Sequence, residues 1–88
     1  MTKSVFTTRY DYFRHLLVEA RKGTGLSQVD LAKRLSRPQS FVSKFERGER
    51  RLDVIEFLEI AEALGVDSYK FLSKVAKQPQ RRKKKPAE

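Results

Sequence analysis

The residues best suited to do chemistry lie between two backbone punctuators, Pro38 and Gly48, in the run Gln39-Ser40-Phe41-Val42-Ser43-Lys44-Phe45-Glu46-Arg47. A helix there takes Val42 and Phe45 inward, which leaves Gln39, Ser40, Phe41, Ser43 and Lys44 facing out. Glutamine can bond adenine N6 and N7 together, lysine reaches guanine O6 and N7, and serine bonds either a base or a phosphate. An ordinary solvated helix face has a similar composition. Phe41 is out of keeping with such a face: either it lies against a thymine methyl or a sugar edge, or it is partly buried in the protein. The chemistry on offer is hydrogen bonding, not bond making. His15 is the one histidine, cysteine is absent, and Gly23-Thr24-Gly25 lacks the spacing of a phosphate-cradling loop. With no carboxylate pair placed as acid and base either, we expect a protein that is not an enzyme, with no cofactor, no metal and no small-molecule ligand.

Around that segment the apolar residues recur at helical spacing, and nowhere do they alternate over a strand's length. Five helices follow, an all-α fold packed as a compact bundle by its short connections. The first, about Tyr10 to Lys22, sets Phe13, Leu16, Leu17 and Ala20 on one face. The second, about Gln28 to Leu35, starts behind a cap pair, Ser27 and Asp30, and turns Leu31, Ala32 and Leu35 inward. The third, about Pro38 to Arg47, opens on a proline and stops at Gly48. The fourth, about Asp53 to Leu64, repeats the cap pattern with Asp53 and Glu56, buries Phe57, Ile60, Ala61 and Leu64, and ends at Gly65. The fifth begins near Asp67 and buries Phe71, Leu72 and Val75. Only Ser36 and Arg37 separate the second helix from the third, which forces a sharp crossing of the helix-turn-helix kind, with Ala32 small enough for the close approach.

An 88-residue chain has room for one such domain and no deep cleft. Its formal net charge of +9 favours a polyanionic partner, with nucleic acid first. The charge is uneven, because the last eleven residues hold five of the twenty Lys and Arg, in Arg81-Arg82-Lys83-Lys84-Lys85. The expected organisation is an N-terminal segment over residues 1–9, a folded DNA-binding domain over 10–77, and a disordered basic tail over 78–88, serving solubility or non-specific phosphate contact. The absence of cysteine, of a signal peptide and of a membrane-length apolar run suits a cytoplasmic protein. A second basic group, Arg47, Arg50 and Arg51, follows the third helix, and reads either as a phosphate-binding loop or as a solvated one.

The stretches Gly25-Leu26-Ser27-Gln28, Asp30-Leu31-Ala32-Lys33-Arg34-Leu35 and Gln39-Ser40-Phe41-Val42-Ser43-Lys44-Phe45-Glu46-Arg47-Gly48 resemble the lambda-repressor/Cro-type helix-turn-helix domain, the XRE family. With Gly65-Val66-Asp67, the resemblance covers roughly residues 10 to 75. It implies a five-helix, lambda-repressor-like domain that regulates transcription, here expected to be a repressor, acting as a homodimer on a partly palindromic double-stranded operator. It also implies roles. Gln28 would bond a phosphate and brace Gln39, the first base-reading residue; Ser40, Ser43 and Lys44 take the other groove-facing positions. Ser27, with the N-terminus of the second helix, joins the phosphate contacts. Arg21 and Glu46 match a structural ion pair that locks the first helix to the third. Two departures stand out: Ser36 fills a turn position where the family usually has Gly, and Arg37-Pro38 replaces the usual small polar cap of the third helix. A dimer surface is expected on the fifth helix near Tyr69 and Val75, with Val5 and Phe6. A protein-interaction adaptor or antitoxin-like module on the same fold is the alternative, for which an apolar third-helix face would have been the sign.

Overall fold

In the computed structural model, residues 8–78 are described, and they form five helices: α1 Arg9–Gly23, α2 Gln28–Leu35, α3 Gln39–Arg47, α4 Val54–Leu64 and α5 Ser68–Lys77. The N-terminal residues Val5 and Phe6 and the basic run 81–85 lie outside the described residues.

Each start has a local cause. Ser27 and Asp30 exchange side chain and backbone, with Asp30 N–H donating to Ser27 Oγ at 3.0 Å and Ser27 N–H to Asp30 Oδ2 at 2.9 Å. Asp53 and Glu56 do the same at 2.7 and 3.0 Å. Thr8 and Asp67 cap α1 and α5 by accepting from backbone N–H groups two or three residues on. Such caps satisfy donors that a helix cannot pair internally. Helix α3 is the exception. Pro38 stands at its N-cap with no side-chain hydrogen bond, and the first helical residue is Gln39, one later than the sequence suggested.

The α2–α3 turn shows why a glycine can be dispensed with. Ser36 adopts φ 56° and ψ 43°, the one non-glycine residue of positive φ among those described. Its strain, on the order of 1 kcal/mol, is offset by closure of the helix end: Arg37 N–H donates to Ala32 O at 3.0 Å and Ser36 N–H to Lys33 O at 3.1 Å. Pro38 then prevents the helix from continuing.

Leu17, Leu31, Val42, Phe45 and Ile60 are almost wholly removed from solvent and form the centre of the core, closed by Ala32, Phe57, Ala61, Leu64 and Phe71. Helix α2 packs on α3 and α4, α1 on α3 and α5, and α4 on α5, so α3 is held from two sides with one flank open. Phe13, Phe57 and Phe71 tie α1, α4 and α5 together at ring separations of 5.3 to 5.8 Å. One sequence expectation changes at the edge of this core: Leu72 is 42% exposed, not buried, whereas Val75 packs partly buried against the core.

Candidate nucleic-acid interface

The open flank of α3 is polar because its apolar residues are all used inward. Gln39, Ser40 and Lys44 are exposed and Ser43 is half-buried, with its hydroxyl donating to Ser40 O at 3.3 Å. At the adjoining N-terminus of α2, Ser27 is exposed and Gln28 half-buried. Four of the five side chains assigned to base reading thus share one surface.

Phe41 does not. It is 8% exposed, and this corrects its assignment as an outward, base-reading residue. Its ring meets Phe45 edge-on at 5.5 Å. The guanidinium of Arg37 lies 4.4 Å from the ring centroid and that of Arg50 lies 5.0 Å away. Covering an aromatic with cations gains both apolar burial and attraction to the ring quadrupole. Arg37 is four residues upstream and Arg50 nine residues downstream, so the cover comes from the two loops that flank α3.

Behind the open flank lies a hydrogen-bonded chain. Arg21 donates to Glu46 through Nε (2.7 Å to Oε2) and Nη2 (3.1 Å to Oε1), and through Nη1 to Leu26 O at 2.8 Å. The two side chains keep only 11% and 6% of their exposure, so the pair is buried and its fork geometry satisfies both partners. Glu46 Oε1 also accepts from Gln28 Nε2 at 2.8 Å. Gln28 Oε1 in turn accepts from Gln39 Nε2 at 3.3 Å. Arg14, which sequence reading passed over, donates to the Glu46 backbone carbonyl and closes the C-terminal end of α3. Its signal was present: Arg14 stands seven residues, two turns, before Arg21 on the same face of α1.

The basic loop is partly neutralised from within. Arg47 forms a fork with Glu49 at 2.9 and 3.1 Å, both side chains more than half exposed. The Arg47 hydrogen bonds hold the Glu49 carboxyl below the ordinary glutamate range, and the same bonds raise Arg47. Arg50 is engaged more fully: both its terminal nitrogens reach Glu56 at 2.9 Å, and Nη1 also donates to Arg51 O. The Arg50 hydrogen bonds first, then the Asp53 N–H, hold the Glu56 carboxyl low. Arg51 is exposed, with its guanidinium 4.1 Å from the Tyr10 ring centroid. All three loop arginines are exposed; Arg47 and Arg50 are each held in a carboxylate fork, Arg50 also lying over Phe41, whereas Arg51 lies over Tyr10. No helix among the described residues is long and apolar enough to cross a membrane.

Comparison with known proteins agrees with this fold. No curated protein matches the chain. Among solved structures, an XRE-family like protein from Pseudomonas syringae pv. tomato str. DC3000 is 54% identical over 77% of this chain and 83% of its own, with a TM-score of 0.75. The wild-type restriction-modification controller protein C.Esp1396I shares the fold at 23% identity and a TM-score of 0.69, covering 85% of this chain and 95% of its own. A point mutant of that controller superposes similarly, at 24% identity and a TM-score of 0.68, over 86% of this chain and 92% of its own. The helix-turn-helix family profile matches residues 17–71, the span from the buried Leu17 of α1 to Phe71 of α5, and with that match the chain belongs to the XRE-type helix-turn-helix family.

Proposed function

We propose that this DNA-binding transcription regulator reads the major groove of double-stranded DNA with α3 and represses from a partly palindromic operator. The observation that carries the reading is the division of α3. Every apolar side chain on it is buried, and the flank left open offers Gln39, Ser40, Ser43 and Lys44, four groups able to bond base edges. Ser27 and Gln28 at the start of α2, with Arg47 and Arg51, supply phosphate contacts that set register without conveying sequence. Arg50, over the Phe41 ring, serves as a brace. An adaptor would present an apolar α3, and this one is polar.

A small module buries limited area on DNA, which favours a homodimer. Apart from Val29 on α2, the exposed large apolar side chains among the described residues lie on two helices in contact: Val54, Ile55 and Leu58 on α4, Tyr69 and Leu72 on α5. These are the residues a second copy would cover. Sedimentation of the wild type and Ile55→Asp tests this: a dimer that dissociates in the variant supports it, and a monomer at high concentration with operator present rules it out.

Selection of bound sequences from a random duplex pool, near physiological salt so that charge alone is not rewarded, tests the reading itself. The wild type enriches a site, and Gln39→Ala relaxes it at one base pair in each half-site. Equal recovery of all sequences by both proteins would overturn the proposal.

A further inference from the structure

We infer that Glu46, although buried and out of reach of any base, sets which base Gln39 accepts, by fixing the direction of two amide groups in series. The inference rests on the DNA-reading function proposed above and deepens it.

An amide side chain has a donor end and an acceptor end, and its partners decide which way round it sits. An ionised carboxylate can only accept. Glu46 is held in place by the Arg21 fork, and its Oε1 lies 2.8 Å from the Gln28 amide. Gln28 must therefore turn its Nε2 toward Glu46, which leaves its Oε1 toward α3. That oxygen lies 3.3 Å from the Gln39 amide, so Gln39 must present Nε2 to it. One N–H of Gln39 is thereby taken, and its Oε1 and remaining N–H are left for DNA. An acceptor beside a donor matches adenine, whose N6 amino group donates and whose N7 accepts; guanine shows two acceptors, N7 and O6, and would set O6 against Gln39 Oε1. Gln28 keeps a second N–H, on the Nε2 that faces Glu46, available to a phosphate.

The direction of the relay follows from the charge at its origin. With Gln28→Leu the chain is cut, and the Gln39 amide can turn over to offer both its N–H groups. With Glu46→Gln the origin carries a donor as well as an acceptor, so Gln28 and Gln39 can both reverse. Gln28 and Glu46 are thus positioning residues for specificity, and the face that meets DNA keeps the same residue types in both variants.

The experiment selects sites with the wild type and Gln39→Ala to locate the base pair that Gln39 reads. Binding to duplexes carrying adenine or guanine there is then measured for the wild type, Gln28→Leu and Glu46→Gln, with folding checked by circular dichroism. The wild type prefers adenine by about tenfold, within the discrimination of a two-bond base contact. In Gln28→Leu that preference shrinks to about threefold or less, and in Glu46→Gln it shrinks or inverts. If Glu46→Gln fails to fold, the double variant Arg21→Leu/Glu46→Leu replaces it, since apolar residues commonly substitute for a buried ion pair, and the same loss of adenine preference is expected of it; Gln28→Leu reports on the second step of the relay alone. An adenine preference unchanged in the folded variants would overturn the relay while leaving DNA reading in place; a wild type that enriches no site would overturn the DNA reading first.

Discussion

Two buried glutamates, Glu46 at the end of α3 and Glu56 in the first turn of α4, are each gripped by an arginine fork, yet they do opposite things for the surface above them. Around Glu46 the hydrogen bonds continue outward, through Gln28 to Gln39 on the open flank of α3. Around Glu56 they close on the protein: Arg50 covers Phe41, Asp53 N–H completes the cap, and Arg37 approaches to 3.8 Å. One cluster leads to the open flank of α3 and the other does not. A buried carboxylate near α3 can therefore orient side chains on its open flank or brace its buried face, and the partners beyond the first contact decide which.

Substitutions can break this contrast in several places. The largest effect is expected from Glu46→Ala, which strands Arg21 in a buried site and costs on the order of 3 kcal/mol or more. Urea denaturation measures it, and an unchanged midpoint would remove the lock between α1 and α3. Phe41→Ala should cost about 3 kcal/mol, as for other buried phenylalanines. Were Phe41 a base contact, the variant would instead keep its stability and change only its site preference. A smaller effect is expected at Glu56, on the scale of a lost helix cap, about 1 kcal/mol. Its carboxyl is held low in the folded state, so the stabilisation it gives is present at neutral pH and is lost as pH falls below the ordinary glutamate range. Glu56→Gln lacks the group that titrates, so its stability should fall less steeply than the wild type's over that acid range in pH-dependent melting curves. The smallest stability change belongs to Arg47→Ala. Its fork with Glu49 is exposed and should leave the melting temperature where it was, while DNA affinity drops across all sequences and the salt slope falls by about 1.

Much of the fold was legible because its causes are local. The cap pairs Ser27 with Asp30 and Asp53 with Glu56 act over three residues, and both form as their spacing predicts. Gly48 and Gly65 end α3 and α4 in the left-handed conformation that glycine tolerates. Leu72 was harder, since a helix period places a residue on a face but does not say how far the neighbouring helix reaches. Phe41 shows the same difficulty inside the candidate site. Its type is odd on a polar face, but the groups that cover it come from the loops on either side of α3. Charge and place in the loop after α3 put Arg50 among the phosphate contacts, but neither shows that the Glu56 carboxylate six residues away holds it in a fork while it stays partly open to solvent.

By itself the sequence determined the five helices, the sharp α2–α3 crossing, the polar flank of α3 and the excess of positive charge, since all of these follow from residue type and short-range spacing. Only the tertiary structure decided which charges remain available to a partner and which are consumed internally. It also decided which way round the Gln28 and Gln39 amides sit, because that depends on Glu46 arriving beside α2 from the far end of α3. Hydrogen bonds and cation covers of this kind join residues distant along the chain, and their partners are chosen by packing, which no local pattern encodes.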